Sequence, residues 1–277
     1  MSLHIVKVPL ADRSYDVVVG NGAVASLAGY LPQKAKRAVI ITQQGIDNQV
    51  SNAVSAAGLH CETAYIGRGE EFKSLQTIQQ MCESFAQWGI TRNDLIIGVG
   101  GGMVTDVAGF AAASWHRGTD VIHVSTSLVG MVDAAIGGKT GVNLAAGKNL
   151  VGAFWQPKAV ICDTSFLDTL PDKEIRCGHG EMAKYHFLTG DDLVSLELDD
   201  RVARCVQIKA DIVASDEREG GCARCSTTGT HLGTQSRLKP ILPLRMVKPL
   251  RLALFLRPSW LTRSDVCRRS GLIITRT

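Results

Sequence analysis

Short apolar runs rich in valine and isoleucine alternate along the chain with stretches whose apolar residues recur every three or four positions. That alternation predicts strands of a parallel sheet joined by crossover helices. Val17-Val18-Val19 closes on Gly20-Asn21-Gly22, a turn signal, and a helical stretch follows toward Tyr30. Residues 38–42 read as a buried strand, and residues 46–57 as a helix ending at Gly58, where a left-handed cap residue is expected. A further helix fits residues 74–88 and is closed by Gly89. Strands are predicted again at residues 94–99 and 121–124, and beyond about Leu167 the pattern becomes mostly helical. The expected fold class is α/β: an N-terminal Rossmann-like parallel-sheet domain over residues 1–166, then a truncated, mainly α-helical domain that starts in residues 167–220.

With 277 residues, 45% of them hydrophobic, the chain can bury one large core or two modest ones. No apolar run is long enough to cross a bilayer, and Met1-Ser2-Leu3-His4 lacks the basic-then-apolar pattern of a secretory signal, so a cytosolic protein without membrane partners is expected. Of eight cysteines, Cys61, Cys82, Cys162, Cys177 and Cys205 stand singly, which suggests reduced thiols, and only Cys222 and Cys225 fall close together. The net charge of +4 hides an asymmetry. From residue 221 onward eleven Lys and Arg face Asp265 alone, which leaves the rest of the chain acidic. A basic tail reads as a solvated segment or a nucleic-acid arm. The second is disfavoured, because Phe255 and Trp260 are not interleaved with the basic residues as stacking platforms would be.

The first chemical signal is Gly98-Val99-Gly100-Gly101-Gly102-Met103-Val104-Thr105-Asp106, which follows a predicted strand and opens a helical pattern reaching Ala113. Glycines permit close backbone approach, and the free N–H groups at a helix start, with the helix dipole, favour a pyrophosphate. The stretch is not the G-x-G-x-x-G fingerprint, since Met103 stands at its last glycine. A plain turn is the bland reading of the triplet, and a carboxylate supporting the helix dipole is the bland reading of Asp106.

A second cluster runs Asp133-Ala134-Ala135-Ile136-Gly137-Gly138-Lys139-Thr140-Gly141-Val142-Asn143, followed by Gly147-Lys148-Asn149. Lys139 and Lys148 both sit beside glycines, and two ammonium groups so placed suit a phosphate or carboxylate as point charges. Gly-Lys-Thr also ends the nucleotide-binding P-loop, but no glycine stands at the required spacing before it, so an ATPase is rejected. A lysine in a solvated turn remains the bland reading of either one singly.

These residues carry a family resemblance over roughly four-fifths of the chain. Gly100-Gly101-Gly102, Asp106, Gly109-Phe110-Ala111-Ala112, Arg117-Gly118, Thr126, Asp133, Gly137-Gly138-Lys139, Gly147-Lys148-Asn149 and Leu170-Pro171 resemble the 3-dehydroquinate synthase pattern. So do Gly180-Glu181-Met182-Ala183-Lys184-Tyr185, Lys209 and Asp216-Glu217, whereas Ser125 and Ser127 stand where the family usually has Pro and Thr. The resemblance implies an enzyme of the sugar phosphate cyclase family, homodimeric, that turns 3-deoxy-D-arabino-heptulosonate 7-phosphate into 3-dehydroquinate and phosphate in aromatic amino acid biosynthesis. It also implies bound NAD and a divalent metal, zinc or cobalt. By analogy Gly101, Gly102, Asp106, Thr126, Ser127, Asp133, Phe166 and Thr169 would line the cofactor site together with Lys139 and Lys148, and Glu70 and Lys73 would lie near the ribose or adenine. Lys139, Asn149, Lys184 and Lys209 would grip the substrate. Glu181 would be one of three metal ligands, the other two being histidines further along.

The motifs that should carry those histidines, Asn-Tyr-Gly-His-Thr-x-Gly-His-Ala and His-Gly-Glu-Ala-Val, are absent from the sequence, and the resemblance stops near Gly221. The genetic code supplies a reason. When codons are rebuilt from the last base of each residue and the first two of the next, Met246 into Val247 must give glycine, and residues 245–250 permit His-Gly-Glu-Ala-Val. The same shift applied from residue 226 permits Leu-Asn-Tyr-Gly-His-Thr-Leu-Gly-His-Ala, with its first histidine at the Gly229/Thr230 junction. The two histidine junctions lie sixteen codons apart, the family spacing. A frameshift between Gly220 and Cys222 is inferred, so residues 221–277 are expected to be an out-of-frame, poorly ordered tail and the polypeptide to be impaired as a synthase. The rival reading is a replacement zinc or redox site built from Cys222, Cys225 and His231. Two other classes stay open: a non-catalytic NAD-binding remnant, and a metal-dependent polyol dehydrogenase of related architecture.

Overall fold

The computed structural model describes residues 3–46 and 49–218. The described residues up to Ala214 form one compact unit. Nine strands are described in this unit: β1 (His4–Val8), β2 (Tyr15–Gly20), β3 (Arg37–Thr42), β4 (His60–Tyr65), β5 (Leu95–Gly100), β6 (Asp120–Ser125), β7 (Lys139–Leu144), β8 (Gly147–Phe154) and β9 (Ala159–Asp163). Five α-helices accompany them: α1 (Gln49–Ala56), α2 (Leu75–Gln87), α3 (Gly102–Ser114), α4 (Asp172–Thr189) and α5 (Leu198–Ser215).

Seven strands form one sheet in the order β1-β2-β9-β6-β5-β3-β4, parallel throughout except for the edge strand β1. The inner strands are buried on both faces, which is why β5, read as Leu95-Ile96-Ile97-Gly98-Val99-Gly100, is a continuous apolar run and shows no alternation. On one face Ile40, Leu95, Ile97, Ile122 and Ile161 pack with Leu27, Val50 and Val54. On the other, Val39, Ile41, Ile96 and Val121 pack under α2 and α3, while Val17, Val19, Val160 and Cys162 share a core with residues from α4 and α5.

From β3 the chain passes through α1 outward to β4, then returns through α2 across β3 to β5. The strands β4-β3-β5-β6-β9 therefore run in the doubly wound order 2-1-3-4-5, with its switch point between β3 and β5. At such a point the connections diverge and leave a crevice beyond the carboxyl ends of the strands, where ligands bind in this class of fold.

The predicted helices and strands fall where the apolar patterns put them. Ser74 caps α2 by accepting the Thr77 amide, and Gly58 and Gly89 take the left-handed conformation expected of residues that close a helix. The stretch toward Tyr30 is a 3-10 helix, Ala23–Tyr30. Five strands had escaped the pattern: β1, β4, β7, β8 and β9. The edge strand β4 is half-exposed and polar along most of its length, so it presents no apolar run. β7 and β8 form an antiparallel hairpin whose Gly141 and Gly152 approach so closely that a Cβ on either would strike the opposite backbone, at 2.7 and 2.0 Å. Those glycines are what a loop would also show.

The five described cysteines, Cys61, Cys82, Cys162, Cys177 and Cys205, are free thiols. No helix among the described residues is long and apolar enough to cross a membrane.

Candidate functional site

The site begins where β5 turns into α3. Val104 and Thr105 donate their amides to the Gly101 carbonyl at 2.9 and 3.1 Å, and no side chain caps the helix. The first amides of α3 have no partner within the helix and have its dipole behind them, which suits an anion. A Cβ on Gly101 would come within 3.0 Å of Ser127 Oγ, and one on Gly102 within 2.9 Å of the Ala134 methyl. The β5–α3 turn thus lies against the segment that leaves β6, where the Thr126 amide donates to the Gly100 carbonyl at 3.0 Å and Ser127 Oγ accepts from the Gly130 amide at 3.2 Å.

Asp106, one turn into α3, meets Lys73 from the segment between β4 and α2. Lys73 is 5% exposed, and its ammonium also donates to Asn149 Oδ1 at 2.5 Å. Burial pushes the Asp106 carboxyl up to about 6 although Lys73 opposes the shift. The dipole-support reading of Asp106 therefore gives way to an ion pair across two chain segments. Around it the tip of the hairpin is tied to the 3-10 turn Glu70–Phe72. Lys148 pairs with Glu70 at 3.3 Å, Asn143 Nδ2 donates to Glu70 Oε2 at 2.9 Å, and Asn143 Oδ1 accepts the Asn149 amide at 2.9 Å. Burial alone would raise the Glu70 carboxyl, but the hydrogen bond from Asn143 and the charge of Lys148 hold it below its ordinary value.

The second half of the site is organised by Asp133, which sits in a single π-helical turn, Gly130–Ala134. Such turns re-aim a side chain by one position and occur often at functional sites. Lys209 from α5 donates to Asp133 Oδ1 at 2.5 Å. Burial would keep this carboxyl protonated, but the charges of Lys209, Lys184 and Lys139 together hold it down to about 2. Lys139 opens β7 just after Gly137 and Gly138, both in the left-handed region at φ 99° and 66°, where a Cβ would be strained. Tyr15 Oη accepts the Gly137 amide at 3.0 Å, and the Trp155 amide donates to the Gly138 carbonyl at 2.7 Å, so the root of Lys139 is fixed from two sides.

On α4, Glu181, Lys184 and Tyr185 fall on one face by helical spacing. Lys184 forms an ion pair with Glu181, and its ammonium lies 5.0 Å from the Tyr185 ring centroid, a cation–π contact. Tyr185, fully buried, donates to the Val132 carbonyl at 2.9 Å. Burial raises the Glu181 carboxyl, and the neighbouring Asp133 raises it further. Asp133 also acts on Asp106, so the two halves of the site feel one another's charge.

The residues expected from the sequence thus gather into two adjoining sets. Glu70, Lys73, Asp106, Lys148 and Asn149 form one, Asp133, Lys139, Glu181, Lys184 and Lys209 the other, with Gly101, Gly102, Thr126 and Ser127 beside the start of α3. Of Lys139 and Lys148, the first acts on Asp133 and the second pairs with Glu70. Phe166 and Thr169 stand on the 3-10 helix Thr164–Thr169 after β9, Phe166 largely buried in the core beside Val24 and Leu27, with Thr169 Oγ1 donating to its carbonyl at 3.2 Å. Asn143 and Tyr185 are polar residues of the site to which sequence reasoning gave no role. Among the described residues no group of three His, Cys, Asp or Glu side chains could hold a metal ion. Cys222, Cys225, His231 and the shifted histidine junctions lie outside the described residues.

The fold is that of sugar cyclase structures solved with NAD+ bound. A 2-deoxy-scyllo-inosose synthase complexed with carbaglucose-6-phosphate, NAD+ and Co2+ superposes with a TM-score of 0.77 at 26% identity, over 85% of this chain and 69% of that one. The 2-epi-5-epi-valiolone synthase of Streptomyces hygroscopicus subsp. jinggangensis 5008, with NAD+ and Zn2+ bound, gives 0.69 at 26% identity, over 82% and 70%. Residues 63–177 match the model of the 3-dehydroquinate synthase N-terminal domain. A protein of Amycolatopsis mediterranei (strain S699) assigned as an aminodehydroquinate synthase is 45% identical over 229 residues, and the 3-dehydroquinate synthase of Paenarthrobacter aurescens (strain TC1) is 40% identical over 239. These matches cover 82% and 80% of this chain but 64% and 66% of the relatives, so the chain spans slightly under two thirds of the length of the curated relatives it matches.

Proposed function

We propose that the protein is a 3-dehydroquinate synthase, a carbon–oxygen lyase that converts 3-deoxy-D-arabino-heptulosonate 7-phosphate to 3-dehydroquinate and phosphate with NAD and a divalent metal, zinc or cobalt. In this reading residues 1–166 bind the dinucleotide and residues 167–220 begin the helical metal and substrate domain, in a cytoplasmic homodimer. One observation carries the reading: Lys139, Lys184 and Lys209 converge on Asp133 beside the Lys73–Asp106 pair at the start of α3. A doubly anionic substrate with a phosphate and a carboxylate needs such a concentration of ammonium groups. A neutral polyol does not, which disfavours the dehydrogenase alternative.

The chain fits a dinucleotide at Gly101 and Gly102, which open α3 at its first amides and stand so close to Ser127 and Ala134 that an added side chain would crowd the turn. Bound NAD supplies transient oxidation of a ring hydroxyl and its later reduction. The chain's own groups hold and orient the substrate: Lys139, Lys184, Lys209 and Asn149 grip its anionic ends, and the lysines offset the charge that grows on the departing phosphate. The Asp133 carboxylate helps keep those ammonium groups in place. For the metal the described residues offer only Glu181 of the expected ligand set, so no step is derived through it.

Calorimetry with NADH and a phosphate-release assay with the heptulosonate phosphate test the proposal in separate arms. Absence of NADH binding together with absence of phosphate release would sink it, and dinucleotide binding without phosphate release, even by a protein whose gene is shifted back between the Gly220 and Cys222 codons, would leave the remnant reading. The 45% identity to the aminodehydroquinate synthase favours a second substrate, the amino-substituted heptulosonate phosphate. Competition between the two compounds for the NADH-loaded protein decides between them.

A further inference from the structure

We propose that Asn143 is a positioning residue that couples the turn Glu70-Glu71-Phe72-Lys73 to Lys148 and Asn149, so that a dinucleotide and a sugar phosphate raise each other's affinity. The inference rests on the reading of Glu70 and Lys73 as cofactor-side residues and of Asn149 as a substrate-side residue. Every polar group of Asn143 named in the structure bridges them. Its amide donates to the Lys73 carbonyl at 2.8 Å, its Nδ2 to Glu70 Oε2 at 2.9 Å, and its Oδ1 accepts the Asn149 amide at 2.9 Å. The residue sits where the hairpin breaks register, between Val142 and Leu144, which lets both ends of one side chain leave the strand plane toward different segments. Asn149, held at φ 56°, depends on that acceptor to keep its own side chain on Lys73.

Two other ties join hairpin tip and turn: the Lys73 ammonium reaches Asn149 Oδ1 directly at 2.5 Å, and Lys148 pairs with Glu70 through side chains that are 67% and 54% exposed. An exposed pair is screened by salt and holds geometry poorly. Asn143 is therefore the group through which a change at Glu70 reaches the Asn149 backbone, in parallel with the direct contact between the Lys73 and Asn149 side chains. A ligand that fixes the turn also fixes Asn149, and by linkage a ligand fixed by Asn149 stiffens the turn by the same factor.

The test measures binding of 3-deoxy-D-arabino-heptulosonate 7-phosphate to the full chain with and without NADH, a dead-end pair that binds without turnover. The wild-type protein is expected to bind the sugar phosphate at least about fivefold more tightly when NADH is present. Asn143→Ala removes donor and acceptor, and Asn143→Asp keeps the acceptor but sets a carboxylate against Glu70. Both should cut the coupling factor to under a third while NADH still binds and far-ultraviolet circular dichroism is unchanged. A coupling factor that survives in either folded variant, or is absent from a wild-type protein that binds both ligands, overturns the inference and leaves the proposed function standing. A wild-type protein that binds neither ligand overturns both.

Discussion

Lys73 and Asn149, 76 positions apart in the chain, meet ammonium to amide oxygen at 2.5 Å, and the same ammonium pairs with Asp106. One buried cation thus joins the start of α2, the body of α3 and the hairpin tip. Its removal leaves the Asp106 carboxyl buried without an opposite charge, a situation that costs about 3–5 kcal/mol when the charge must stay. Asp106 can instead take up a proton, since its carboxyl is already raised to about 6. Lys73→Met is therefore expected to destabilise the protein by roughly 3 kcal/mol at pH 8 and roughly 1 kcal/mol at pH 5. Urea unfolding at the two pH values checks it, and an equal loss at both would remove the ion pair from the account.

His123 should give the opposite pH signature. It lies in the middle of β6, and its Nδ1 is buried with no hydrogen-bond partner. A Cβ on Gly98 would come within 3.1 Å of that nitrogen, so the ring is boxed in as well as dry. Burial lowers its pKa from 6.5 to about 4. The unfolded chain then binds the extra proton between these values, so stability is complete above pH 6.5 and is lost as pH falls toward 4, by about 3 kcal/mol. Asp106 works against this between 3.8 and about 6, because its raised native pKa makes the folded state the better proton binder there. The His123 contribution is isolated by difference: His123→Leu should flatten the stability profile between pH 6.5 and 4 relative to wild type.

Gly101 tests the cradle without disturbing the backbone. Its φ of −77° is open to any residue, and a Cβ there would touch only Ser127 Oγ, at 3.0 Å, and Ser127 Cβ, at 3.5 Å. Gly101→Ala is expected to shift stability by under about 1 kcal/mol and to weaken NADH binding by roughly tenfold or more, because the methyl stands between the helix amides and a pyrophosphate. Calorimetry and thermal unfolding measured on the same preparation separate the two effects. Unchanged NADH affinity would move the cofactor elsewhere.

Tyr185 carries both a hydrogen bond and a cation–π contact, and the two can be parted. Tyr185→Phe keeps the ring beneath Lys184 but strips the Val132 carbonyl of its donor, at an expected cost of about 1–2 kcal/mol. Because that carbonyl adjoins Asp133, the sugar phosphate should also bind more weakly than NADH does in the variant. A uniform loss for both ligands would mark Tyr185 as a packing residue only.

How much of this was legible beforehand follows from what each residue needs. Helices and most inner strands announce themselves by apolar periodicity, and Gly101 and Lys139 by glycine and charge in unusual settings, whereas Glu181 is named by the family resemblance alone. The hairpin did not, because Gly141 and Gly152 serve a close strand pairing that looks like loop composition in one dimension. Lys73 with Asp106, and Lys209 with Asp133, join residues 33 and 76 positions apart, so no local pattern could place them; only the family resemblance named them together. Asn143 escaped entirely, since its role lies in three partners on two other segments.

The last expectation concerns the residues after 220. The family resemblance assigns two histidines to the metal beside Glu181, and the sequence permits their motifs only when codons near Ser226 and Arg245 are rebuilt from the last base of one residue and the first two of the next. A metal held by one of three ligands binds weakly and its site is not fixed in geometry, so roughly a hundredfold or greater loss of turnover is expected. The chain as written should bind NADH yet release phosphate at under about a hundredth of the rate shown by a protein whose gene is shifted back between the Gly220 and Cys222 codons. Resequencing that stretch comes first, since it shows which protein the gene encodes. Equal turnover by the two proteins, each verified by intact mass, would mean that the metal is held by residues other than the shifted histidines, and the frame argument would fall with it.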